Sequence, residues 1–142
     1  MILTTKARYA VTAMLDIAYH TDGKPISLPE IAVRQNISLS YLEQLFSRLK
    51  KNGLVESIKG PGGGYRLSKG ADDIVISDVI HAVEENLETT ACNGKSNCHN
   101  NQQCLSHNLW EDLEMLINNF FEKNTLKDII YRTDKNQQKE LN

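Results

Sequence analysis

Residues 39–67 read LSYLEQLFSRLKKNGLVESIKGPGGGYRL, and three patterns succeed one another within them. Leu42, Leu45, Phe46 and Leu49 recur at the three- and four-residue spacing of an amphipathic helix. Gly53 stands where such a helix ends in a left-handed residue. Two β-like runs follow, Leu54–Ile58 and Tyr65–Leu67, joined by a glycine-rich tip from Lys59 to Gly64. A helix followed at once by a hairpin is predicted. Ser40 and Glu43 have the spacing of a capping box, which predicts that Ser40 starts the helix.

Toward the N-terminus, Ser27-Leu-Pro-Glu30 is a second capping-box pattern, opening a short helix that carries Ile31 and Ala32 and fades at Gln35-Asn36. Asn36-Ile37-Ser38 is left as a tight turn. Two short helices joined by a turn form a helix-turn-helix, and the hairpin behind them is its wing. A further helix is predicted near 5–20, capped by Thr4 or Thr5, with Ala7, Ala10, Val11, Met14, Ile17 and Ala18 on one face and Lys24-Pro25 beyond its end.

Toward the C-terminus, Ile74-Val75-Ile76 suits a short strand, and Ser77-Asp78 opens a helix through Val83. A polar loop runs to about residue 103. A long helix is predicted near 104–123, striped by Leu105, Leu109, Leu113, Leu116, Ile117, Phe120 and Phe121. Such a stripe either packs on the 5–20 helix or pairs two subunits, and the second is favoured because symmetric DNA readers commonly pair this way. The expected fold is mostly α with a small β-hairpin wing: a winged helix-turn-helix plus a long C-terminal dimerisation helix. The expected divisions are a DNA-binding domain at 1–83, a loop at 84–104, a dimerisation region at 105–130 and a disordered polar tail at 131–142.

The 142 residues suffice for one modest core without disulfides. The net charge of −2 conceals a division. Residues 1–70 carry ten Lys/Arg and five Asp/Glu, a balance of +5; residues 71–142 carry six and thirteen, a balance of −7. A basic front half suits a polyanion. No apolar run approaches the roughly 18 residues of a membrane span. The N-terminus lacks a secretory pattern, so a cytoplasmic protein is expected. No nucleophile–base constellation, carboxylate pair or cofactor fingerprint points to an enzyme.

In a helix-turn-helix the first residues of the second helix meet base edges in the major groove. Here these are Ser38, Ser40, Tyr41, Glu43 and Gln44. Gln44 suits an adenine edge, Glu43 the cytosine amino group, and Ser and Tyr hydroxyls suit phosphates. Glu43 has a competing role in closing the capping box. Arg48, with Lys50 and Lys51 beyond it, is either a phosphate contact or part of a solvated face. In the wing, Gly62 and Gly63 let the backbone approach DNA, and the flanking Lys59 and Arg66 suit a narrow minor groove. No Gly-Lys-Ser/Thr follows, so this is no P-loop.

All three cysteines fall within thirteen residues, in the pattern Cys92-x5-Cys98-x5-Cys104-x2-His107. An odd, clustered set favours metal or redox chemistry over a disulfide framework. Between Cys92 and Cys104 the loop has no apolar residue except Cys98, so a bound metal centre is the obvious agent to order it. Cys104 and His107 share one face of the helix they open. Zinc would accept three Cys and one His, but its ligands are usually paired more closely. The wide spacers suit an iron–sulfur cluster, in which His can replace Cys on one iron. Zinc and metal-free reactive thiols stay open as alternatives, as does His99 as the fourth ligand.

The helix-turn-helix, the GPGGGY wing and the C-x5-C-x5-C-x2-H loop together resemble the IscR family of iron–sulfur cluster regulators, over about residues 1–130. The resemblance implies a homodimeric transcription factor holding one 2Fe-2S cluster per subunit through Cys92, Cys98, Cys104 and His107. It implies repression of cluster-assembly genes at roughly palindromic sites on double-stranded DNA, cluster-assembly proteins as donors, and a cluster-free form active at a second promoter class. Ser40, Glu43 and Gln44 would be its base readers. Lys59 stands where relatives often carry Arg, a better minor-groove reader. Nitric-oxide sensors of similar fold share three cysteines but use another cluster, and His107 favours the first branch. A zinc-stabilised regulator is a further alternative. A small electron-transfer iron–sulfur protein is another, but it would leave the wing and the basic half unexplained.

Overall fold

The computed structural model describes residues 4–84 and 104–141. Helix α1, Thr5–His20, is capped by Thr4, whose hydroxyl accepts from the Ala7 amide at 3.3 Å. It buries Ala7, Ala10, Ala13, Met14 and Ile17. Small residues on this face let neighbouring helices approach closely, and α2, α3, α4 and α6 all pack on α1. Helix α2, Leu28–Gln35, begins at Ser27, which accepts from the Glu30 amide at 3.4 Å. The carboxylate of Glu30 turns to Arg34, 3.7 Å away. Asn36 takes the left-handed conformation that ends α2, and buried Ile37 carries the chain into α3, Leu39–Lys51. Leu42, Leu45, Phe46 and Leu49 of α3 are all buried.

The wing is an antiparallel pair, β1 Val55–Ile58 and β2 Gly64–Leu67, with Glu56 opposite Arg66 and Ser57 opposite Tyr65. Ile26 bridges to Tyr65 through reciprocal backbone bonds of 2.9 and 2.8 Å. The segment leading into α2 thus fixes the wing to the helix-turn-helix. Tyr65 also tilts onto Phe46 with ring centroids 4.9 Å apart.

Helix α4, Ile76–Val83, begins one residue before the predicted Ser77 start. The strand expected at residues 74–76 is reduced to a single bridge, Val75 to Thr125. Asp78 explains this, since its carboxylate accepts from the Val75 amide at 3.3 Å and starts the helix there. Helix α5, His107–Lys123, matches the long predicted helix and packs on α4 rather than chiefly on α1.

The tail is not disordered as expected: residues 126–141 form α6, Leu126–Leu141, which packs on α1. Leu126 is fully buried, and Thr125 and Asp128 cap each other, with bonds of 3.0 and 3.1 Å. Beyond that anchor the sequence has no Gly or Pro to stop the helix. Its polar composition is that of a solvated helix as much as of a disordered tail.

Candidate nucleic-acid interface and cluster site

The cap of α3 is Ser38, whose hydroxyl accepts from the Tyr41 amide at 3.2 Å. The predicted box of Ser40 and Glu43 therefore does not form, because Ser40 already lies inside the helix. Both are exposed, as is Gln44. Ser40, Tyr41, Glu43 and Gln44 line one open depression, with Ser47 and Arg48 further along α3. The lining also includes Lys6 of α1, a residue the sequence did not single out. Its sequence position carries no signal, because only packing sets the first turn of α1 beside α3. Tyr9 marks the contact, meeting Tyr41 edge-on at 5.7 Å.

The cations of this region differ in their ties. Arg48 donates to the Val83 carbonyl at 2.9 Å, joining α3 to the last turn of α4. Lys50 donates to Ser57 of β1 at 2.7 Å. Arg66 is paired across the wing with Glu56 at 3.0 Å, an exposed ion pair of the kind worth under about 1 kcal/mol. It could exchange Glu56 for a phosphate at little loss. Lys59 stands exposed at the wing tip and makes no ion pair among the described residues. The wing glycines serve the fold first. A Cβ on Gly63 would lie 2.2 Å from the Ile58 carbonyl oxygen, and one on Gly64 would lie 2.4 Å from that of Ile26. Close backbone approach within the wing requires both.

Behind the helix-turn-helix, Asp16 of α1 is only 3% exposed. It accepts from Arg34 at 2.7 and 3.0 Å and from Gln35 at 2.8 Å. Burial pushes its carboxyl up, but the hydrogen bonds from Arg34 and Gln35 and the Arg34 charge outweigh that and hold it below the usual carboxylate range. This cluster sets the angle between α1 and α2.

At the start of α5, the His107 amide donates to the Cys104 carbonyl at 3.1 Å, closing the turn that leads into the helix. His107 is 2% exposed, the one buried residue of α5. Its Nε2 lies 3.5 Å from the Glu111 carboxylate. The Cys104 sulfur is half-buried and 3.7 Å from the Ser106 hydroxyl, which also accepts from Trp110 Nε1 at 3.0 Å. Thiolate and imidazole in adjoining turns are a donor set that fits a soft metal centre. Cys92, Cys98 and the alternative ligand His99 lie outside the described residues.

Residues 3–132 match the Rrf2 family of iron-dependent transcriptional regulators. The chain belongs to the Rrf2 family. A relative from Erwinia tasmaniensis, the HTH-type transcriptional regulator IscR, is 55% identical over 130 residues, which are 92% of this chain and 79% of that protein. Among solved structures, T. potens IscR superposes with a TM-score of 0.80 at 34% identity, over 96% of this chain and 91% of its own. CymR, the global cysteine regulator of B. subtilis, also reaches 0.80, at 32% identity over 91% and 95%. This Rrf2 chain is thus a DNA-binding transcriptional regulator of winged-helix fold and not an enzyme. No described helix is long and apolar enough to cross a membrane.

Proposed function

We propose that this Rrf2 regulator senses iron–sulfur cluster status through a 2Fe-2S cluster and represses cluster-biogenesis genes while the cluster is held. Cys92, Cys98, Cys104 and His107 would hold it, cluster-assembly proteins would supply it, and the protein would act in the cytoplasm, where its DNA is. The observation that carries the reading is the pairing of Cys104 with buried His107 at the positive end of a seventeen-residue helix. A bound cluster would supply a redox-active, iron-dependent tie between the cysteine loop and α5. The Glu111 carboxylate, 3.5 Å from His107 Nε2, would help to orient the ring. The exposed apolar stripe of α5 suits a homodimer, and a homodimer suits a two-fold symmetric DNA site. On DNA, Ser38, Ser40, Tyr41, Glu43 and Gln44 would face the major groove, and Lys59, Gly62, Gly63 and Arg66 the wing contact.

Anaerobic purification with metal and sulfide analysis tests the reading. About two irons and two sulfides per chain are expected, with a visible spectrum. Stoichiometric zinc in a colourless protein that still binds DNA would overturn it. His107→Ala is expected to give a labile or spectrally altered cluster on an intact fold. An unchanged spectrum and lifetime would move the fourth ligand elsewhere, with His99 the next to substitute.

A further inference from the structure

The first turn of α1 stands at the mouth of α3. Lys6 and Tyr9, three residues apart, share one face of α1. Tyr9 meets Tyr41 of α3 edge-on, so this face is turned toward the start of the recognition helix. Lys6 is half-buried and lines the same depression as Ser40, Glu43 and Gln44. Charge gives it a task there. Among the residues lining the depression the only carboxylate is Glu43, and the cations are Lys6 and Arg48. The Arg48 guanidinium is hydrogen-bonded to the Val83 carbonyl. Without Lys6 the depression would carry no net formal charge; with it the balance is positive. A DNA strand beside α3 brings phosphates toward Glu43, which repels them unless a cation intervenes.

We propose that Lys6 is a DNA-backbone contact, pairing its ammonium with a phosphate beside the groove that α3 enters and offsetting Glu43. Arg48, in contrast, is a positioning residue that holds α3 against the end of α4. The proposal rests on the reading of α3 as the groove-entering helix. A lysine offers a mobile point charge rather than a planar fork, so its contact sets affinity and register without reading sequence.

The test uses the full chain and two fluorescein-labelled duplexes about three helical turns long, one of random sequence and one selected by the wild-type protein from a random library. Affinity is measured against salt concentration. Lys6→Gln is expected to reduce the slope of log affinity on log salt by about 0.9 per bound chain and to weaken both duplexes by similar factors. Lys6→Arg is expected to restore the slope. Arg48→Gln is expected to keep the wild-type slope while lowering the melting temperature. If Lys6→Gln unfolds, Lys6→Met keeps the apolar stem and replaces it. A wild-type slope in a folded Lys6 variant, or a change in base preference without a change in slope, would overturn the proposal. Gln44→Ala separates this from failure of the underlying reading: if it leaves the preference for the selected duplex intact, α3 is not the reading helix, whatever Lys6 does.

Discussion

The hydroxyl of Ser38 satisfies the Tyr41 amide, so the first turn of α3 is closed before Ser40 is reached. Ser38→Ala is therefore expected to lower stability by about 1 kcal/mol. Ser40→Ala should change stability by no more than about 0.5 kcal/mol and act on DNA affinity instead. Equal destabilisation by the two changes in thermal melts would contradict the cap assignment. The same shift releases Glu43 from helix capping, so a cost in stability no longer competes with a role in recognition. Glu43→Ala is expected to relax base preference in a selection experiment more than it weakens binding, with an unchanged melting temperature. A carboxylate near phosphates opposes affinity and gains only where a cytosine amino group meets it.

Helices α1 and α2 are joined by the buried Asp16, which Arg34 and Gln35 both serve. Arg34→Ala leaves a buried carboxylate short of its charge partner. Breaking a buried pair costs roughly 3–5 kcal/mol, and the low end applies because the Arg34 side chain is about a third exposed. The pH dependence has a definite sign. Asp16 titrates lower in the folded chain than in the unfolded one, so its contribution is present above the ordinary carboxylate range and is lost as pH falls through the depressed folded value. Wild type is thus expected to lose stability steeply below about pH 4, and Arg34→Ala to show a flatter acid limb in urea melts. Parallel acid limbs would place the sensitivity in other carboxylates. The same element pair shows how far local signals reach: Thr4 of the two candidates caps α1, and Ser27 caps α2 as predicted, while Glu30 turns to Arg34 instead of closing the box.

At the scale of the molecule, α5 has the most exposed apolar face among the described elements. Leu109, Leu116 and Phe120 are 61%, 67% and 53% exposed, and α5 fully buries only His107. A stripe this open is an expected subunit interface. Leu116→Lys is expected to give a folded monomer by sedimentation, with DNA affinity down on the order of a hundredfold, because two half-sites are no longer joined. A dimer of wild-type strength would place the interface elsewhere. His107 opens α5 and Cys104 lies in the turn just before it, so a centre held by these two would be coupled to the helix proposed as the subunit interface.

The residues themselves determined what depends on neighbours within one or two turns. The helical stripe of Leu42, Leu45, Phe46 and Leu49, the Gly53 stop, the Gly-rich wing and the start of α1 at Thr4 all follow from periodicity and backbone preference. Tertiary structure decided whatever depends on partners distant in the chain. The end of the chain forms α6 because Leu126 finds a core pocket and Thr125 a bridge to Val75, which polar composition cannot foresee. Gly63 and Gly64 are small because Ile58 and Ile26 pass close by, not only because DNA does. Arg48 faces a carbonyl 35 residues away, and Lys6 faces a helix that begins 33 positions later. Short-range capping and spacing are written in order along a chain, whereas which cation is tied within the protein and which stands at the DNA-facing depression is fixed only when the helices pack.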